Sequence, residues 1–444
     1  MTQVRREVLG TGTLCNMSVT VDIGLLSGKT AIVTADQHEQ VEALKLRAQT
    51  ALGVGKGRLV DLSGGVLDEC STVLAAGIQN GDSLALHIGR LQIQSTQAAF
   101  AAVLGDGSVV AWGDADCGGD CRAVQGQLKN VQQIQASFSA FAAILGDGSI
   151  VTWGDTECGG DCSAVQDQLQ NVRQVHATVA AFAALFGDGS VVTWGHAAFG
   201  GDSSAVQDQL KNVAHIQATE RAFAAVLSDG SVVTWGDAQE GGDSSAVQDQ
   251  LQNVQQIQAS GTAFAAILGD GSVVTWGIRD FGGDSNSVQH QLQNVQLIQS
   301  TWDAFAAILG DGSVVTRVMV VVVTADQLTN VQQIQATKSG FAAILGDGSV
   351  ATWGAPGFGF GGDSSAVQEQ LRNVQQIQET WTSGAFAAIL GDGSMVSWGE
   401  TDLGGDSSAV KAQSNAQLNR LLCAQVGIYT VQRHRAELAA DGNP

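Results

Sequence analysis

The sequence predicts a mainly β fold: a seven- or eight-bladed β-propeller of short three-stranded repeats, preceded by a small α+β domain and followed by a short helical tail. Three observations carry this. A unit with the core Phe-Ala-Ala-(Ile/Val/Leu)-(Leu/Phe)-Gly-Asp-Gly-Ser-Val-Val-Thr-Trp-Gly recurs eight times, its Phe at 100, 141, 182, 223, 264, 305, 341 and 386. The first six are 41 residues apart and the last two steps are 36 and 45. A fixed period in this range marks units that cannot bury a core alone and must stack. Each copy reads as alternating short strands, and the composition of the first ninety residues is different. The expected division is a disordered 1–17, an α+β domain at 18–90, the repeat array at 91–408 and a helical or disordered tail at 409–444.

In the first domain, Val19, Val21 and Ile23 alternate with Thr20 and Asp22, as in a half-buried strand. Leu26-Ser27-Gly28-Lys29 reads as a turn and Thr30–Thr34 as a second strand. Asp36, with Glu39 three residues on, reads as a helix N-cap in a capping box. Val41, Leu44, Ala48 and Leu52 share one helical face, and Gly53 is a natural stop. Arg58–Leu62 and Ser83–Ile88 complete a ββαββ order.

Within a repeat, Phe182, Ala184 and Phe186 point one way and Ala183 and Leu185 the other. Asp188-Gly189 reads as a two-residue hairpin turn with positive φ at both positions. Val191–Trp194 returns antiparallel. Both faces of this hairpin are apolar, so both must be covered, which face-to-face stacking of identical units achieves. A third strand precedes each hairpin, as at Val131–Gln135, Val254–Gln258 and Val374–Gln378. Between units, Ser204 with Gln207 reads as a second capping box opening one or two helical turns. The sixth unit departs from the pattern: Arg317-Val-Met-Val-Val-Val-Val323 replaces Trp-Gly, and five residues are lost. Gly-Gly-Asp codons read one base out of frame give Val runs, so this reads as a compensated frameshift, which the transcript sequence tests.

The chain has 444 residues, 44% of them hydrophobic, with 56 Gly and only 2 Pro. A sizeable core and many tight turns follow. A net charge of −22 argues against a nucleic-acid or anionic-membrane surface, which needs clustered Lys and Arg. Seven Cys, and no apolar stretch behind Met1–Arg6, lead to the expectation of a reducing cytoplasmic or nuclear setting. No apolar run is long enough to span a membrane. Cys117-Gly-Gly-Asp-Cys121 and Cys158-Gly-Gly-Asp-Cys162 lack the usual zinc spacing, and other units carry Phe, Glu, Leu or Ser there, so they read as loop substitutions. Each Gly-Asp-Gly-Ser turn offers a single Asp at the wrong period for a calcium repeat, and no Lys-Ser/Thr follows to make a phosphate loop. The seven His are scattered, with no triad or paired carboxylates. No catalytic residue, metal or cofactor is expected.

Two resemblances follow from these residues. Leu26–Thr30, the helix Val41–Leu52, Arg58–Val60 and Gly81–Ile88 follow the ubiquitin pattern in order and spacing, so residues 18–90 resemble a ubiquitin-like β-grasp domain. That resemblance implies a receptor-binding patch at Leu26, Val60 and His87, with His87 departing from the family's aliphatic residue. The chain runs on through Gly89-Arg90, which implies a fixed module and not a conjugated tag. The Leu-x-Asp-Gly-x-Val-x-x-Trp-Gly run, as at Leu104–Gly113 and Leu268–Gly277, resembles the regulator of chromosome condensation repeats over about 320 residues. The family's Gly-Gln-Leu-Gly after Trp-Gly is replaced here by Gly-Gly-Asp-Ser. The unit is also short, like the three-stranded blades of the bacterial β-lactamase inhibitor propellers. Members of the repeat family serve as exchange factors for a small GTPase or as modules of ubiquitin ligases, and no HECT-like domain fits in the rest of this chain.

The function expected is therefore a non-enzymatic scaffold or adaptor, in the ubiquitin pathway, that binds a protein through loops on the propeller rim. Ubiquitin-receptor or proteasome-linked proteins are the expected partners. The alternative is a guanine-nucleotide exchange factor acting on a small GTPase. Trp302 and Trp381 fall outside the strand register of the other Trp residues, just before hairpins, and are the candidate rim contacts. The units differ mainly before each Phe and after each Trp-Gly. If those two loops share one rim, that rim is the candidate binding face.

Overall fold

The computed structural model describes residues 18–25, 28–54, 57–62, 64–88, 92–317, 328–354, 363–379, 384–399 and 405. The helical tail, the Val run of the sixth unit, Leu26 and Trp381 lie outside them. The chain divides into two compact units: Met1–Gln92 with Ala102–Val110 and Lys129–Val131, and the remainder.

Period-2 alternation sets the first sheet. Strand β1 (Ser18–Gly24) buries Val19, Val21 and Ile23 and exposes the residues between. It pairs antiparallel with β2 (Thr30–Asp36) and parallel with β4 (Ser83–His87), and β3 (Arg58–Val60) pairs antiparallel with β4. The sheet order is β2-β1-β4-β3, with a parallel central pair. Helix α1 (Val41–Leu52) lays Val41, Leu44, Ala48 and Leu52 on this sheet. Each such fully buried Val or Leu side chain contributes about 1.5–3 kcal/mol. Gly53, at φ 61°, ends the helix in a left-handed cap bonded to Gln49 and Thr50 carbonyls, as expected.

The start of α1 differs from expectation. Asp36 ends β2, and its carboxylate accepts from the His38 N–H. Gln40 takes the N-cap position without a side-chain bond, and Glu39 pairs with Arg47. Strand pairing extends far enough to take Asp36 from the helix.

In the repeats, the described residues form eight three-stranded sheets. The third is typical: Val172–Ala177, Ala181–Phe186 and Val191–Gly195, in that spatial order. Phe182 lies opposite Trp194, and their rings stack at 5.3 Å. One face of this sheet (Val172, Val175, Phe182, Ala184 and Trp194) packs on Ala140, Ala142, Ile144 and Ile150 of the second sheet. The other face (Ala181, Ala183, Leu185 and Val191) receives Ile216, Phe223, Val233 and Trp235 of the fourth. A bulky leading face thus meets a trailing face rich in small residues at every junction. The first strands of the third to eighth sheets touch in succession. This is the blade stacking of a β-propeller, and the fold is mainly β.

The first four junctions are pinned at the same place. The Trp194 indole N–H donates to the Gly159 carbonyl of the preceding unit at 3.1 Å. Trp153, Trp235 and Trp276 do the same to Gly118, Gly200 and Gly241. Gly200, at φ 92°, has no room for a Cβ, which would sit 2.6 Å from the Phe223 ring.

Two local expectations are corrected. The hairpin turn is a three-residue loop: Phe186 N–H bonds to Ser190 O, and Gly189 alone has positive φ. Asp188 accepts from the Ser190 N–H and hydroxyl, a side-chain bond that favours this turn. Gln207 does not cap a helix. Its side chain bonds the Ser203 hydroxyl and the Val191 carbonyl, bracing the connection against the hairpin. The connections between units are turns and short 3₁₀ or π segments such as Thr156–Cys158, Gln166–Gln168 and Ala115–Gly119.

Candidate functional site

The two variable loops of each unit lie at one end of the blade. Ser or Thr opens the loop before each Phe. The Thr178 hydroxyl accepts the Ala181 N–H and donates to the Phe199 carbonyl, in the loop after Trp-Gly, at 3.0 Å. Ser137 reaches Cys158 O at 2.8 Å and Thr219 reaches Glu240 O at 3.1 Å in the same way. In each of the first five blades one hydroxyl therefore clamps the two loops together.

The next residue joins blade to blade. Backbone N–H to carbonyl bonds run from Gln97 to Phe138, Phe138 to Val179, Val179 to Glu220, Glu220 to Gly261, Gly261 to Trp302 and Trp302 to Lys338, all at 2.8–2.9 Å. This unbroken chain sets seven residues of different chemistry side by side along one rim. The repeat core beneath them is nearly invariant. Loop residues held by a rigid scaffold are the usual carriers of recognition.

The widest variety lies between the third and seventh units. Trp302 donates from its indole nitrogen to Glu220 Oε1 at 2.7 Å, stands edge-on to Phe281 at 5.5 Å, and has the Lys338 ammonium 5.8 Å from its ring. Nearby, the Arg221 guanidinium lies 5.1 Å from the Phe199 ring and 3.5 Å from Glu240 Oε1. Burial raises the Glu240 carboxyl above the ordinary range, against the opposing pull of Arg221. Phe138 projects from the same rim, 45% exposed. Aromatic and Arg side chains held by neighbours are the composition of protein-contact hot spots.

Of the residues expected to bind, Trp302 lies on this rim and Trp381 is outside the described residues. His87 is exposed at the end of β4, but Val60 is buried, 4% exposed. A surface patch built on Leu26, Val60 and His87 therefore does not present Val60, although it is the neighbouring Leu59 that enters the core under the helix. Glu220 and Arg221 fall in a loop read from sequence as variable, whereas Phe281 and Lys338 were not singled out. Their signal was departure from the repeat consensus at two offsets.

Cys121 and Cys162 occupy slots that serine fills elsewhere, whereas Cys117 and Cys158 stand where other units carry Phe or Glu. Cys162 lies 3.4 Å from Thr152 Oγ1 and 2.9 Å from Gln166 Oε1, as Ser203 lies against Thr193 and Gln207. Burial pushes the Cys121, Cys158 and Cys162 thiols upward, which disfavours thiolate chemistry. Among the described residues no three His, Cys, Asp or Glu side chains gather as a metal site, and no helix is long and apolar enough to cross a membrane.

A scan against protein-family models finds no match, and neither does a search of curated proteins. Among solved structures, the chain is similar to the computationally designed Ika8 protein, at 14% identity and a TM-score of 0.33, covering 71% of this chain and 97% of that one. It is similar to yeast RCC1 (Prp20), solved with Kap60, at 15% identity and a TM-score of 0.36, covering 62% and 80%. Human WBSCR16 matches at 15% identity and a TM-score of 0.36, covering 61% and 79%. The fold assignment rests on the strand pairings and sheet contacts above.

Proposed function

We propose that this chain is a non-enzymatic protein-binding scaffold that engages its partner through the variable-loop rim. One observation carries the reading: the places where near-identical repeats diverge most are brought together at one blade end and linked by a continuous backbone chain. A tandem array supplies the same residues at every position except there, so a unique recognition surface has to be built from them. The cluster around Trp302, Glu220, Phe281 and Lys338 is its centre.

The β-grasp domain supplies a second interface, and two linked modules gain affinity through effective concentration. Ubiquitin-receptor or proteasome-linked proteins are the partners this adaptor reading calls for, in the cytoplasm or nucleus, and nucleic acid is not among them. With Val60 buried, that interface does not rest on the expected triad.

The test is affinity capture with the full chain, with residues 91–444, and with Trp302→Ala and Phe138→Ala, each quantified by mass spectrometry. The adaptor reading expects one partner set lost with the rim variants and a second lost with the shorter chain. A small GTPase held by both lengths, most strongly without nucleotide, together with accelerated nucleotide release, would replace it with the exchange-factor alternative.

A further inference from the structure

The two ends of the repeat array expose the two halves of one interface. In the second to fifth sheets the leading-face Phe is fully buried and its Trp nearly so. In the first sheet Trp112 is 44%, Val110 46% and Ile93 47% exposed, and Phe100 is half-buried. At the other end, the trailing-face residues Ala387, Ile389 and Met395 of the eighth sheet are half-buried. Their equivalents in the third sheet, Ala183, Leu185 and Val191, are fully buried under the fourth. The first sheet thus presents an uncovered leading face, and the eighth an incompletely covered trailing face.

What covers such faces is shown at each inner junction. A leading Phe–Trp stack seats on the small Ala-rich trailing face of another unit, and the indole N–H finds a Gly carbonyl. The first face keeps the same stack, Phe100 on Trp112 at 5.4 Å. Its complement is therefore a repeat trailing face, and the chain carries one uncovered copy of it. Among the described residues, both faces are less covered than the corresponding faces of the second to fifth sheets. Contiguous apolar patches of this kind mark interaction sites.

We propose that the first sheet of one molecule docks on the eighth sheet of a second copy, in a head-to-tail interface that repeats the inner junctions. Such a contact is heterologous, so it builds a closed ring of copies or a longer chain of them. All named contacts in it are apolar, so the net charge of −22 opposes it only at long range and is screened by salt.

Sedimentation velocity of the full chain over a wide concentration range, in buffer of physiological ionic strength, tests this. The expected result is dimers or larger species that grow with concentration. Trp112→Glu spoils only the leading face and Ile389→Glu only the trailing face, so each variant alone sediments as a monomer. Mixed, they have one intact face of each kind and form a one-to-one dimer and nothing larger. Circular dichroism confirms that both remain folded; complex formation in the mixture proves the intact faces are competent. A wild-type chain that stays monomeric at every concentration overturns the proposal, whether its ends mate internally or stay bare. So does association by either variant alone equal to that of the wild type.

Discussion

Restoring the missing tryptophan of the sixth unit should stabilise the protein. In the other sheets Trp lies opposite the repeat Phe and stacks on it, as Trp276 does on Phe264 at 5.2 Å. In the sixth sheet the residue opposite Phe305 is Arg317. A cavity of about 40 Å³ lies there, lined by Val273, Gly282, Leu292, Ile298, Phe305 and Val315. Its lining residues are the equivalents of those packed with Trp276 in the fifth sheet, and Gly282 is the equivalent of the glycines whose carbonyls accept the other indole N–H groups. At about 24 cal/mol per Å³, filling 40 Å³ is worth about 1 kcal/mol. The aromatic pair adds about 0.5–1.5 kcal/mol. Arg317→Trp should therefore gain about 1.5–2.5 kcal/mol. Urea unfolding followed by far-ultraviolet circular dichroism reads this as a raised midpoint at unchanged slope. Phe305→Ala should cost more with Trp at 317 than with Arg, the excess being the pair energy. An unchanged or lowered midpoint, or a Phe305→Ala cost that is the same in both backgrounds, refutes the reasoning.

Three further outcomes follow from the same geometry. Gly200→Ala forces a Cβ onto the buried Phe223 ring at positive φ and should cost about 2–5 kcal/mol, whereas Gly187→Ala, with open space around it, should stay within about 0.5 kcal/mol; paired denaturation curves check both. Trp194→Phe strands the buried Gly159 carbonyl at about 1–3 kcal/mol, while Trp353→Phe should be close to neutral, because the Trp353 indole nitrogen is buried with no partner among the described residues. His176 is held to about pH 4 by burial, with His215 adding a smaller push. Its folded value is depressed, so the unfolded chain binds the proton first. Stability should fall by up to about 3 kcal/mol as pH drops from 6.5 towards 4, and His176→Gln should flatten urea midpoints across that window.

The repeat core was legible because its chemistry is local and periodic. Phe182, Ala183, Trp194 and the strand before them alternate with period 2, and a hairpin apolar on both faces admits few fates besides stacking. The helix face of α1 and its Gly53 stop were legible for the same reason. Errors fell where a side chain bonds its own backbone. Asp188 takes the Ser190 amide and so selects a three-residue loop. Asp36 prolongs a strand, and Gln207 braces Val191. The Asn before each first strand, such as Asn171 at φ 62°, was a missed signal of a left-handed residue ahead of the strand. The rim was only half legible. Divergence at two offsets could be read from the repeats, but the clamp from Thr178 to Phe199 and the bonds from Glu220 to Gly261 join loops about 20 or 40 residues apart. Only the stacked blades bring them together. The burial of Val60 was not legible, because pattern matching fixes a position in a strand and not its exposure.

The central claim, that recognition sits on the variable-loop rim, is tested most directly by comparing the two ends of the blades. Affinity capture is run with Trp302→Ala and Phe138→Ala on the rim, and with Asp188→Ser and Asp229→Ser in the hairpin turns at the opposite end. The rim substitutions should each lower recovery of the same partner severalfold while the turn substitutions leave it unchanged. Loss through the turn substitutions, or full recovery with both rim substitutions, would contradict the account.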